Sequence, residues 1–431
     1  MTAPPHLPAA SPRARRRLRG LFLDTAPLRL DRDYRWLWSG QAVTGIGNQI
    51  TRVVLPYQVY VLTGSTLAIA VLTAVQLIPI LVFALGAGSV ADAVDRRRLL
   101  LVTQLGLAGC SAALFAIALL PEPPVVAILV VAFLAASLGA FDQPARSSSI
   151  SRLVPPERLP SAIALNQLNY QAASVIGPAI GGLLLITVGV AGAYAVDVVT
   201  FTGSLVAVLS IASLPPLGEV RRPGLAAIRE GIGFARRRRV ILSTFAIDLN
   251  AMIFGMPTAL FPVLALDVFH AGPAGVGLLA AAPAVGAFLG ALLSGWVSRV
   301  RQVGRAVIAV VIVWGLAITG FGLASFSFPL ALAFLAIAGA ADVLSAVFRS
   351  TIVQLETPDQ LRGRITAIHT LAVSSGPRLG DIEAAAVATV VGPQLSVMSG
   401  GILCLLGVVA VTRAFPELRH HVATRVAAAT G

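Results

Sequence analysis

Lysine is missing from this chain of 431 residues: all 32 basic residues are arginine. Charge of any kind is scarce, at 12% of residues, about half the ~25% of an ordinary soluble domain. Hydrophobic residues supply 57%, and several runs exceed the ~18–20 apolar residues that cross a bilayer. A soluble fold of this length would need far more polar surface, so an integral membrane protein is expected. Cysteine occurs twice, at Cys110 and Cys404, both inside apolar runs, which supports neither a disulfide framework nor a metal site. The patterns HExxH, GxSxG and the phosphate-binding loop do not occur. Their absence removes the usual enzyme readings and any ATP-binding module that could drive transport.

What charge there is lies in clusters between the apolar runs. A net charge of +13 would otherwise point to nucleic acid, but no long basic face with interleaved aromatics occurs. The bias is topological. If the N-terminus is cytoplasmic, 30 of the 32 arginines fall in the tails, the central linker and the cytoplasmic loops. The alternate loops, such as "LPEPP", "TVGVAG" and "HAGPAG", carry none, as the positive-inside rule requires.

The expected organisation is all-α, with twelve transmembrane helices in two pseudo-symmetric six-helix bundles. A cytoplasmic tail covers 1–32, the first bundle 33–213, a cytoplasmic linker 214–240, the second bundle 241–414 and a second cytoplasmic tail 415–431. Within the linker, Leu225, Ile228 and Ile232 stand at helical spacing and predict an amphipathic helix on the inner leaflet. The bundles repeat each other at an offset near 200 residues: "SRLVPPERLPSAIAL" at 151–165 matches "VQLETPDQLRGRITAI" at 353–368, and "GPAIGG" at 177–182 is echoed by "GPRLGD" at 376–381. Such duplicated bundles place a substrate cavity between the halves near the bilayer midplane.

After the second apolar run comes "GSVADAVDRRR" at 88–98. Gly88 permits close helix approach, Asp92 can accept hydrogen bonds at a neighbouring helix N-terminus, and Arg96, Arg97 and Arg98 can pair with carboxylates or lipid phosphates. In span five, "SVIGPAIGG" supplies Gly177, Pro178, Gly181 and Gly182, a kinked helix that can pack tightly. With twelve spans in two halves, these stretches resemble the major facilitator superfamily. Its loop signature is matched at Gly88, Asp92 and Arg96 to Arg98, with Ala93 and Asp95 as departures. The span-five glycines resemble the second half of an antiporter motif in its drug exporters, whose earlier glycines are Ala164 and Ala173 here. "LLPEPP", "IGPAIGGLLL", "GPRLGDIEAA" and "PELRHH" point to its siderophore- and drug-efflux branch.

The resemblance implies a monomer in a bacterial inner membrane. It would need no cofactor or nucleic acid, and would draw on the proton gradient to export an amphiphilic small molecule. An uptake permease driven by proton symport, or a polytopic sensor, is the alternative. Asp92 would latch the cytoplasmic side in one state and release it in the other.

Ionisable groups inside spans mark sites of function. Arg52 and Arg378 are the two arginines outside the cytoplasmic segments. Acidic candidates are Asp142, Asp197, Asp248, Asp342, Asp381 and Glu383. Arg378 and Asp381 share a helix face and could pair locally, and Arg146 and Arg349 could neutralise Asp142 and Asp342. Arg52 with Asp248 is the expected coupling pair, because spans one and seven line the cavity in the resembled fold. Uncharged Gln41, Asn48, Gln49, Asn166, Gln167, Asn169 and Gln171 could bond a substrate, and His369 could relay protons.

Overall fold

The structure, a computed structural model, describes residues 24–216 and 233–422. The amphipathic helix expected around Leu225 to Ile232 lies outside the described residues. Twelve long helices occur among the described residues: α1 (Arg32–Thr63), α2 (Thr66–Ala93), α3 (Arg96–Ala118), α4 (Val125–Leu153), α5 (Leu159–Thr187), α6 (Gly189–Ser210), α7 (Arg239–Phe254), α8 (Gly272–Leu292), α9 (Val303–Leu323), α10 (Phe328–Glu356), α11 (Asp359–Val391) and α12 (Pro393–Ala414). Ten of them, α7 being counted with its continuation to Val268, are long and apolar enough to cross a membrane. The other two, α1 and α11, have the length, at 32 and 33 residues, and carry Arg52 and Arg378.

The two ends of the bundle are built differently. At the end opposite the arginine clusters four of the six turns rest on glycines in the left-handed region: Gly64, Gly189, Gly272 and Gly392, with φ of 59°, 70°, 65° and 86°. A side chain there would be strained. Gly64 also closes α1 by donating its N–H to the Tyr60 carbonyl, one of the orphan acceptors of a helix end. At the arginine-bearing end one helix start is capped by a side chain. Asp95 starts α3 by accepting from the amides of Arg97 and Arg98 and takes the Ser213 hydroxyl as well. Burial works against its ionisation, but the donors from Ser213, Arg98, Leu214 and Arg97 outweigh it and hold the carboxyl below the usual carboxylate range.

Helix packing repeats with every index raised by six. α1 lies on α5 and α6 as α7 lies on α11 and α12, and α4 lies on α2 and α3 as α10 lies on α8 and α9. The same shift turns the α5–α8 contact into α11–α2, and these two contacts join the halves. In the first, backbones meet: Gly182 and Gly277 face each other, with 3.0 Å from a Cβ built on Gly182 to the Gly277 Cα. Tyr60 also donates from its hydroxyl to Asp267 across the same end.

α7 does not run unbroken through its apolar stretch. It ends at Phe254; a break at Gly255 to Pro257 leads into a 3-10 turn (Thr258–Leu260), then a short α segment (Phe261–Val263) and a π turn (Leu264–Val268). Pro257 has no amide to give. The freed groups find partners: the buried Trp314 indole N–H donates to the Gly255 carbonyl at 2.7 Å, and Asp381 accepts from the Ala259 amide at 2.7 Å. Irregular backbone at membrane depth is tolerated only with such satisfaction.

A Cβ on Gly277 would lie 2.5 Å from the Pro178 carbonyl and 2.8 Å from the Gly182 Cα, backbone atoms that cannot swing away. Gly277→Val is therefore expected to lower stability in thermal unfolding by about 1–3 kcal/mol. Gly109→Ala, at a helical glycine whose Cβ would meet open space, is expected to leave it unchanged or raise it.

Candidate functional site between the two halves

Three of the polar residues expected to face a substrate lie on one face of α1. Gln41, Asn48 and Arg52, with Gly45 between, follow helical spacing; Asn48 and Arg52 are exposed and Gln41 and Gly45 partly so. The reverse face is committed to packing. Gly47 lies against Asp197 and Thr200 of α6, and Thr51 donates to Asp197 at 2.7 Å. Gln49 bonds Ser174 of α5 at 2.8 Å, and Asn169 reaches the Trp38 carbonyl at 3.5 Å. Those two amides hold α1 to α5 and do not face the seam.

Arg52 stands near the middle of α1, and Arg378 near the middle of α11 in the other half. Arg378 donates from Nη1 to the Ser374 carbonyl of its own helix at 2.9 Å. Asp381 does not form the local pair expected with Arg378. Its oxygens accept from the Thr258 hydroxyl at 2.7 and 2.8 Å and from the Ala259 amide at 2.7 Å, at the turn after the α7 break. Among the described residues, neither Arg52 nor Arg378 has a carboxylate within 4.0 Å, the ion-pair distance.

Asp248 is not the partner of Arg52 either. It is buried in the second half, where Arg349 Nη1 of α10 lies 2.7 Å from its Oδ1. Asp342 lies 4.0 Å from Arg349, and His369 of α11 lies 3.9 Å from the other Asp248 oxygen, its ring beside Phe245. One cation thus sits between two carboxylates with a histidine at the edge. The first half has a smaller counterpart: Asp142 pairs with Arg146 at 3.2 Å and accepts from Thr103 and Gln104 at 2.9 and 2.8 Å. Asp197 has hydroxyl partners instead of a cation, Ser111 at 2.6 Å beside Thr51 and Thr200.

The loop motif is arranged differently from the expectation. A Cβ on Gly88 would meet nothing within 4 Å among the described residues, so the close contact expected through that Cβ position is not seen there. Asp92 is exposed and pairs with Arg96 one turn on, at 2.9 Å; the carboxylate at a helix N-terminus is Asp95. Arg96 is buried and bonds Ser148, while Arg97 caps the last carbonyls of α6 at Val208 and Leu209. The cluster ties the first half together. In α5, Gly177 and Gly181 meet α1 at Gln49 and Ile50, while Gly182 and Pro178 meet Gly277 of α8. These four residues seat α5 between its own half and the other.

Arg349 as the partner of Asp248, and Thr258 as the partner of Asp381, escaped the sequence reading. Pairing across helices carries no spacing rule, whereas "GMP" at 255–257 is a helix-breaking signal that could have placed Thr258 at an unwound turn.

Comparison with known proteins follows the same lines. The sequence profile of a family described as "Transmembrane secretion effector" matches residues 24–427. The multidrug efflux pump Tap of Mycolicibacterium fortuitum is 31% identical over 87% of this chain and 93% of its own length. The enterobactin exporter EntS of Escherichia coli K12 is 27% identical over 93% of this chain and 95% of its own. Among solved structures, a bacterial homologue of the human lysosomal transporter Spinster, inward-facing and unoccupied, superposes with a TM-score of 0.70 at 15% identity, covering 92% of this chain and 99% of that one. A POT family transporter bound to a thioalcohol-conjugated peptide gives 0.71 at 11% identity, over 90% and 96%. At such identities the likeness is one of fold.

Removing one member of a buried pair strands the other charge, at a cost of about 3–5 kcal/mol. Asp248→Leu and Arg349→Leu are each expected to lower stability by that order in thermal unfolding, and the double variant to recover most of the loss. Strict additivity would show that the two groups are not coupled.

Proposed function

We propose, for a chain that belongs to the transmembrane secretion effector family of the major facilitator superfamily, that it exports an amphiphilic small molecule from a bacterial cell in exchange for protons. The observation that carries this reading is the polar face of α1, with Asn48 and Arg52 uncovered near mid-helix. A polar face in a membrane helix needs water or a solute beside it, and a seam between repeats is where a secondary transporter binds its cargo. Outward direction is supported by the names of Tap and EntS and by the resemblance of the α5 glycines to an exporter's antiporter motif.

In this reading α1 and α11 are counted as spans, making twelve, with both termini in the cytoplasm of an inner-membrane protein that works as a monomer. The halves tilt against each other about the α5–α8 and α2–α11 contacts, alternately exposing the seam. Asp92, paired with Arg96 in the present arrangement, would form the cytoplasmic latch in the other state. The proton gradient supplies the work and no cofactor takes part. Protonation of Asp248 would remove the counterion of Arg349 and leave it to Asp342, changing how α7, α10 and α11 are held together. His369 stands beside that carboxylate as a route for the proton.

The test is retention of candidate substrates by an efflux-deficient bacterial strain, with and without the protein and with and without a collapsed proton gradient. The protein is expected to lower retention several-fold, and gradient collapse or Asp248→Asn to abolish that effect. Higher retention in cells that carry the protein would identify an uptake permease. Gradient-dependent flux that survives Asp248→Asn would place the coupling elsewhere.

A further inference from the structure

We propose that the chain leaving the last helix of each half folds back as a strap, which fastens the first, third and fourth helices of that half at the arginine-bearing end. The strap of the second half, residues 415–422, is then a working part of the molecule and not a loose tail. It ties α7 to α10, the helices that supply Asp248 and Arg349.

The first strap follows α6. Ile211 and Leu214 are buried, and polar bonds tie the neighbouring residues to three helices. The Ala212 amide donates to Asp33, near the start of α1, at 3.0 Å. The Ser213 hydroxyl donates to Asp95, and the Arg96 amide donates to the Leu214 carbonyl at 3.1 Å, both at the start of α3. Arg152, near the end of α4, donates to the Pro215 carbonyl at 2.8 Å.

The second strap follows α12 and visits the corresponding places. Arg239, the first residue of α7, donates to the Ala414 carbonyl at 2.8 Å, pairs with Glu417 at 3.1 Å and lies over the Phe415 ring. A short helical turn (Pro416–His420) then passes the start of α9. There the Gly304 amide donates to the His421 carbonyl at 3.4 Å. A Cβ on Gly304 would stand 1.7 Å from the Leu418 carbonyl oxygen, so glycine alone permits this approach. The Leu418 side chain is fully buried. At the end of α10, Glu356 lies 3.7 Å from His421 through one oxygen and 3.9 Å from Arg238 through the other.

The course is repeated where the sequence is not: "IASLPP" at 211–216 and "FPELRHHV" at 415–422 share no pattern. What repeats is the demand. Helix ends leave backbone groups without intrahelical partners, and a half that turns as one body needs those ends held together. In the second half the strap joins the start of α7 to the end of α10, roughly two turns outside Asp248 and Arg349. It is a second fastening of the same two helices.

The test is hydrogen exchange, read by mass spectrometry on the full chain in lipid nanodiscs. In the wild type, amides of residues 418–421 and of the first two turns of α7 and α9 are expected to exchange slowly. Gly304→Ala sets a methyl group against the Leu418 carbonyl and should speed exchange in all three by about tenfold or more. Alanine is the better helix former, so an idle strap predicts the opposite sign at the start of α9. Arg239→Gln, which removes the Glu417 pair and leaves α9 untouched, should speed the same amides by about threefold. Both variants should leave α1 and α3 unchanged, whereas Arg152→Gln should speed exchange at the starts of α1 and α3 alone. Unaltered exchange at the ends of α9 and α10 opposite the strap shows that the fold is kept. Wild-type strap amides that exchange as fast as free chain would overturn the proposal. So would faster exchange of the strap in Gly304→Ala and Arg239→Gln with the starts of α7 and α9 still at wild-type rates, or no change in either place.

Discussion

A guanidinium in a hydrocarbon layer must find an anion, water or the membrane surface, because isolation there is too expensive to persist. With no lysine in the chain, every fixed cation obeys the same rule, and the arginines divide by how they meet it. Most lie at one end of the bundle, among loops. A second set, Arg146 and Arg349, is buried and paired with carboxylates inside one half or the other. A third set, Arg52 and Arg378, stands near the middle of long helices with no carboxylate within 4.0 Å among the described residues. The first set gathers at one end, the second holds each half together, and the third stands apart from both.

The seam exists because the molecule is a repeat. The contacts α5–α8 and α11–α2 are the same contact seen from each half, and the α5–α8 copy is made where glycine meets glycine. Backbones in direct contact leave few side chains to disengage, which suits a surface about which two rigid bodies turn. The buried ionic network in the second half is not duplicated in the first. There Asp142 and Arg146 form a simpler pair, and Asp197 is held by hydroxyls. The α7 break has no counterpart among the helix ends of the first half either, since α1 runs unbroken from Arg32 to Thr63. The halves share a frame and differ in chemistry.

Much of this frame was legible in the sequence. Apolar runs bounded by arginine gave the long helices, and the repeat at an offset near 200 gave the pairing of halves. Gly177, Pro178, Gly181 and Gly182 were rightly read as a close-packed stretch of α5. Arg52 and Arg378 were singled out because they fell outside every loop cluster. What the sequence could not yield was partnership. Asp248 had two distant arginines to choose from, and only packing of α7 against α10 decides for Arg349. Among the described residues the tight approach expected at Gly88 is not seen, for a related reason: a glycine permits contact without requiring it. Local spacing was misleading for Arg378 and Asp381, where i and i+3 share a face but an unwound turn of α7 offers the carboxylate better donors.

The claim most open to direct attack is that the Arg52 face of α1 looks into water between the halves and not into lipid. Asn48→Cys, in a chain with Cys110 and Cys404 replaced by serine, should react rapidly with a membrane-impermeant methanethiosulfonate reagent. Ser204→Cys, at a fully buried position of α6, should resist it. Protection of Asn48→Cys equal to that of Ser204→Cys, from either side of the membrane, would mean that no aqueous seam reaches Arg52, and the account would fail.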